Sequence, residues 1–248
     1  INPYYEYKSE TNRLLVDFNY IDFVNDNTNT LYDVAGSTIP FTDRKYIQNG
    51  NYNIKTYSLD YTRTFSDNLN ISAGSRFADV ATDNDLQSLI DENGNFNLVE
   101  EESSQFLIDE TIFAVYSKVN AKFGDWSFSG GLRYENSNTD GTSIFMKDGA
   151  LTTEVQKRPI KKVFPSASIS RKMTDVLGAS LSYSYRIRRP SYSSLNAFQT
   201  FLDPYSAGEG NPNLTPSYTN NYQFNLTYEG QPFFTVGYSK TDDVIFYL

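Results

Sequence analysis

Arg133 and Glu135 stand two residues apart, as do Arg186 and Arg188. In an extended chain that spacing puts both members of a pair on one face. All four fall on a polar face. Their plain role there is ion pairing along a lumen wall, and their functional one is contact with an anionic or sugar-like ligand, for which the guanidinium fork is suited. Both uses stay open from the residues alone, because crowded charges are usually paired within the protein itself. Tyr192, Phe198, Phe201 and Tyr205 follow in one long connection. There they could stack on a ligand, cover a lumen or anchor the loop internally.

Catalytic chemistry is poorly served. The chain has no Cys and no His, which removes thiol chemistry, Cys/His zinc sites and His-based triads. Its many serines have no His to activate them. Nothing aims a carboxylate pair at a shared substrate, so the residues argue against an enzyme and imply no cofactor. The net charge of −9 is concentrated in residues 78–104, which hold Asp79, Asp83, Asp85, Asp91, Glu92, Glu100, Glu101 and Glu102 and no Lys or Arg. Such a run predicts a solvated loop. Clustered carboxylates would also suit calcium, although no EF-hand spacing is present. No basic stripe exists for nucleic acid.

The elements that must position these side chains are strands. Trp126, Phe128, Gly130, Leu132 and Tyr134 alternate with Ser127, Ser129, Gly131, Arg133 and Glu135. Leu181, Tyr183, Tyr185 and Ile187 alternate with Ser180, Ser182, Ser184, Arg186 and Arg188, and Tyr222, Phe224, Leu226 and Tyr228 with Gln223, Asn225 and Thr227. Ten such segments run along the 248 residues. The gaps between them alternate between short (9–12, 66–68, 124–125, 174–178, 229–232) and long (24–50, 78–104, 137–162, 189–217).

A soluble sandwich has no reason to keep every long connection at one end, but a transmembrane β-barrel does. The 20 Tyr and 18 Phe suit strands and interfacial girdles. Low mean hydropathy is no objection, since only alternate strand residues meet lipid. No stretch reaches the roughly 18 apolar residues of a membrane helix. The fold class expected is therefore all-β: an antiparallel transmembrane β-barrel with short periplasmic turns and long extracellular loops. Asn93-Gly94 and Asp148-Gly149 read as hairpin tips of ribbons extending beyond the membrane. Residues 25–30 and 136–141 are polar throughout and read as mobile loops. No signal peptide is visible at Ile1, and the sequence stops in apparent mid-strand at 244–248, so it reads as part of a longer protein.

One stretch carries a family resemblance. Ser184-Tyr-Arg-Ile-Arg-Arg-Pro190, Leu195-Asn196, Asp203-Pro204 and Gly210-Asn-Pro-Asn-Leu-Thr-Pro216 resemble TonB-dependent outer-membrane receptors, most closely the Bacteroidetes branch and the outer membrane protein beta-barrel family. Gly131-Leu-Arg-Tyr-Glu135 and Phe164-Pro-Ser166 fit the same pattern. Ala197 stands where the family pattern has Pro, and Ser217 where many relatives carry Glu. The resemblance implies that all 248 residues belong to one barrel domain of about 22 strands, in a bacterial outer membrane. It implies an N-terminal plug, absent from this chain, through which TonB would drive uptake of a siderophore, glycan or peptide. Implied partners are outer-membrane lipid, the TonB system and surface lipoproteins or other complex subunits, with no nucleic acid. A structural or secretion-complex barrel is the alternative, and a soluble β-sandwich binding domain a more distant one. Gly210–Pro216 has its own physical reading: Gly and Asn permit positive φ and Pro enforces an extended neighbour, together turning a loop into a strand.

Overall fold

The structure, a computed structural model, describes residues 1–32, 42–196, 200–203 and 206–246. Strands β1 (Tyr4–Lys8), β2 (Asn12–Leu31), β3 (Arg44–Ser66) and β4 (Leu69–Glu92) come first, then β5 (Asn95–Leu98) and a 3-10 turn (Glu100–Glu102). They are followed by β6 (Ser104–Phe123), β7 (Trp126–Lys147), β8 (Ala150–Lys172) and β9 (Leu177–Arg188). Helix α1 (Tyr192–Leu195), β10 (Thr200–Asp203), β11 (Ser206–Gly208), β12 (Ser217–Tyr228) and β13 (Gln231–Asp242) complete the chain. One antiparallel sheet runs β1-β2-β3-β4-β6-β7-β8-β9-β12-β13, with β5 on β4; β10 and β11 form a separate hairpin. Ten strands lie on that path, each beside its chain neighbour but for the excursions between β4 and β6 and between β9 and β12. The chain is all-β, as its alternation predicts.

The long strands divide into two halves with opposite patterning. On the lower half of β7, Trp126, Phe128, Leu132 and Tyr134 project outward and are exposed, Leu132 by 57%. Leu69, Ile71, Ala73 and Phe77 on β4 and Phe113, Val115, Val119 and Phe123 on β6 continue this band in register. Exposed apolar surface of that extent marks a face that lipid covers. The band covers residues 69–77, 113–123 and 126–134, close to the about 9–11 residues of a tilted crossing. Aromatics cluster at its margins, where an interfacial girdle belongs: Phe18 and Tyr57 lie 4.8 Å apart at the upper edge, and Trp126 and Phe128 6.3 Å apart at the lower. The inner face there is polar, tied across strands by Thr62–Ser72 (3.0 Å), Ser129–Asn120 (2.8 Å) and Asn225–Ser180 (3.2 Å).

Above the band the pattern inverts. The outer face turns polar, with Asp79, Asp83 and Asp85 on β4 and Asn136, Asn138 and Asp140 on β7. The inner face gains Ala78, Val80, Leu86, Phe106, Ile108 and Ile160, all buried. Strands of 20 to 24 residues therefore cross the membrane and continue outside as folded ribbons. Three expectations are corrected here. Residues 25–30 and 136–141 are not loops but parts of β2 and β7, paired in unbroken register with β3, β6 and β8. Most of the acidic run is strand and 3-10 turn, and among the described residues no cluster suited to a metal occurs. β13 ends at Asp242, so 244–246 are not mid-strand.

The turns follow the chemistry of their residues. Asn93 and Gly94, Asp148 and Gly149, and Glu229 and Gly230 all take positive φ, as a two-residue hairpin matched to strand twist requires.

Candidate functional site

The inner face of the outer half is crossed by a strap, the connection that follows β9. Pro190 offers no N–H to a ladder and holds Arg189 extended, so β9 stops at Arg188. Ser191 then caps α1, its hydroxyl accepting from Ser194 N at 3.2 Å. Gly210 and Asn211 donate backbone N–H groups to the carbonyls of Asn196 and Ser194, each at 2.8 Å. A Cβ on Gly210 would lie 2.3 Å from the Asn196 carbonyl oxygen, so only glycine permits this approach. That corrects the expectation for this motif: its glycine serves close contact, not positive φ. Leu195 and Leu214 bring the two limbs of the strap against Phe106 and Ile108 on the wall.

Charge completes the attachment. Arg189 pairs with Glu135 and lies 3.6 Å from Glu110, and its Nη2 donates to Ser137 at 3.2 Å. Arg133 pairs with the other Glu135 oxygen at 2.8 Å and sits 5.8 Å from the Tyr116 ring. Tyr192 donates to Glu110 at 2.6 Å, and Thr139 to the same carboxylate at 2.7 Å. Glu135 is 2% exposed and Glu110 4%. Burial by itself would raise the Glu135 carboxyl, but hydrogen bonds from Arg189 and Arg133 outweigh it and hold the group below the usual carboxylate range. Burial and the bond to Glu110 push the Tyr192 hydroxyl well above an ordinary tyrosine.

The residues singled out from sequence divide on this geometry. Arg133, Glu135 and Tyr192 meet in the cluster. Arg186 and Arg188 do not: they are exposed at the end of β9, register with Thr219 and Ser217, and have no ion pair among the described residues. Phe201 lies on β10, its backbone paired with Ala207; Phe198 and Tyr205 lie outside the described residues. Sequence reasoning does not single out Arg189 and Arg158, and parity places Glu110 on the polar face without marking it as part of the site. The Arg-Pro step was visible as a motif, yet nothing in the sequence pairs it with carboxylates 54 and 79 positions earlier.

A model of the outer membrane protein beta-barrel family matches residues 5–248. The chain belongs to the outer membrane protein beta-barrel family. As a member of that family it is an outer-membrane β-barrel protein of a bacterium. No curated protein sequence matches it. Among solved structures it is similar to the ferric yersiniabactin uptake receptor FyuA from Yersinia pestis, with a TM-score of 0.68 at 13% identity over 98% of this chain and 35% of that one. The ferric citrate transporter FecA gives 0.60 at 12% over 92% and 31%. The ferric-catecholate import receptor Fiu from E. coli K12 gives 0.58 at 12% over 92% and 37%. The chain spans about a third of the length of these structures. At such identities the likeness establishes the barrel architecture. It also places this family member beside TonB-dependent receptors in fold.

Proposed function

We propose that this chain is a wall segment of a TonB-dependent receptor that imports a scarce nutrient across the outer membrane. The observation carrying this reading is the strap. A plain diffusion pore gains nothing from a folded segment pinned by buried ion pairs across the inner face of its outer mouth. A receptor does, because a binding surface needs rigid support. The similar structures are named for uptake of ferric yersiniabactin, ferric citrate and ferric catecholates, which puts a ferric chelate first among candidate cargoes, ahead of glycans and peptides. TonB, reached through a plug domain, would supply the energy, and outer-membrane lipid covers the apolar band.

The test is accumulation of radiolabelled ferric citrate, a fluorescent maltooligosaccharide and a fluorescent tripeptide by cells making the full-length protein. Uptake of one probe that collapses when an uncoupler dissipates the proton-motive force is the expected result. No accumulation of any probe despite folded barrel in the outer membrane, or uptake indifferent to the uncoupler, would overturn the proposal.

A further inference from the structure

Behind the strap lies a cavity of about 270 Å³, between α1 and the inner faces of β6, β7 and β8. Ile160, Leu195, Pro190 and Pro216 make most of its lining apolar, and Arg158, Arg189 and Glu110 supply its charge, Glu110 being engaged by Arg189, Tyr192 and Thr139. An apolar cavity of about 150 Å³ can already admit a benzene ring, so this one has room for a substituted ring or a short branched chain.

The charges around it do not balance. Glu110 and Glu135 are the carboxylates of the cluster, and Arg133 and Arg189 answer them one for one. Arg158 is left over, with no carboxylate partner among the described residues. Its Nη2 donates to the Pro212 carbonyl of the strap, while its Nη1 is buried and makes no hydrogen bond. Arg189 Nε is in the same condition. Burial without a partner carboxylate draws the Arg158 pKa below its ordinary value. Gly141 lets the wall close against the guanidinium: a Cβ there would lie 3.3 Å from Nη1 and 3.6 Å from the Phe106 ring. Arg158 is half-buried, but a guanidinium nitrogen buried with no acceptor costs stability unless something answers it.

We propose that this cavity binds a small monocarboxylate with an apolar body, the carboxylate on Arg158 and the body among Ile160, Leu195 and Pro216. One surplus positive charge matches one carboxylate rather than a phosphate dianion. The forked guanidinium suits the planar group. The inference rests on the strap and the wall alone, so it can hold even where energised uptake fails, and fail where uptake holds.

The test is calorimetric titration of the detergent-solubilised full-length protein with benzoate. Saturable binding is expected, at least tenfold weaker for benzamide, which keeps the shape and loses the charge. Arg158→Gln and the cavity-filling Ile160→Trp should each weaken benzoate at least tenfold while the barrel keeps its heat-modifiable migration on gels. The benzamide arm needs no variant, so a misfolded mutant leaves the question decidable. Absence of saturable benzoate binding, or equal affinity for benzamide, would overturn the site. Unchanged affinity in a folded Arg158→Gln protein would assign Arg158 solely to holding Pro212.

Discussion

The lower and upper halves of the same strands obey opposite rules. In the lower half of β7, Leu132 and Tyr134 face outward and Arg133 faces a polar interior. A few residues on, Asn138 and Asp140 face outward, while the neighbouring strands supply Phe106, Ile108 and Ile160 to the interior. The backbone is the same ladder throughout; only the solvent has changed. Where lipid surrounds the sheet, apolar side chains are stable outside and the lumen holds Ser, Thr and Asn. Where water surrounds it, the apolar groups move inside and need a cover, which the strap provides. The site sits at the crossover, just above the aromatic margin, where the inner face gains both charge and a dry neighbour.

Removing the charge at the crossover should disturb the outer half most. Glu135→Ala removes the buried carboxylate that Arg189 and Arg133 share and leaves Arg189 only Glu110, at 3.6 Å; losing one partner of a buried pair costs about 3–5 kcal/mol. The strap should then detach from Phe106 and Ile108. A spin label at Ser193→Cys, the sole thiol in a chain without cysteine, would become mobile; an immobile label would sink the docking role. Next comes Leu132→Arg, which places charge in the lipid band at a cost of about 2–4 kcal/mol near midplane. Asn138→Arg, on the same face of the same strand above the band, should stay within about 0.5 kcal/mol. Urea titration of both variants in vesicles separates them, and equal losses would erase the boundary.

Gly210→Ala is smaller and confined to the outer half. Overpacking against the α1 carbonyls costs about 1–3 kcal/mol, read as faster proteolysis of the strap with the membrane band untouched. Smallest is the response to pH. The Glu135 carboxyl is lower in the docked state, so its contribution is present above the ordinary carboxylate range and fades as pH falls through it. The Tyr192 hydroxyl is raised, so its contribution is full below an ordinary tyrosine pKa of about 10 and fades above it. The Ser193 label should be least mobile between those limits. A monotonic profile would show that one of the two groups plays no part.

The membrane half was legible in the sequence because a single rule governs it. Trp126 to Tyr134 alternate without exception, and their faces are as parity predicts. The hairpin tips at Asn93-Gly94 and Asp148-Gly149 were equally plain, since few residues accept two successive positive φ values. The outer half defeats the same rule. From Asn136 to Gly141 every residue is polar or glycine, so periodicity vanishes and the segment reads as a loop. Its strand character comes from hydrogen bonding to β6 and β8 and from apolar neighbours on other strands. Of the site, the i, i+2 charges were visible. Arg189 was not, because it lies beyond the strand whose parity could place it, and its partners are set by folding over long sequence distances.

The buried cluster also bears on how the wall assembles. Glu110 opposes Thr139, and Ala114 opposes Glu135. A slip of one residue between β6 and β7 would turn each charged side chain on the shifted strand to the opposite face. With β7 as the shifted strand, Arg133 and Glu135 would turn to the outer face, and Arg189 would keep Glu110 but lose Glu135. Long ladders with small, repetitive side chains have many near-equivalent alignments, and Ser, Gly and Asn are abundant here. The ion pairs act as a key cut for one alignment: a hairpin inserted out of step cannot close its own mouth.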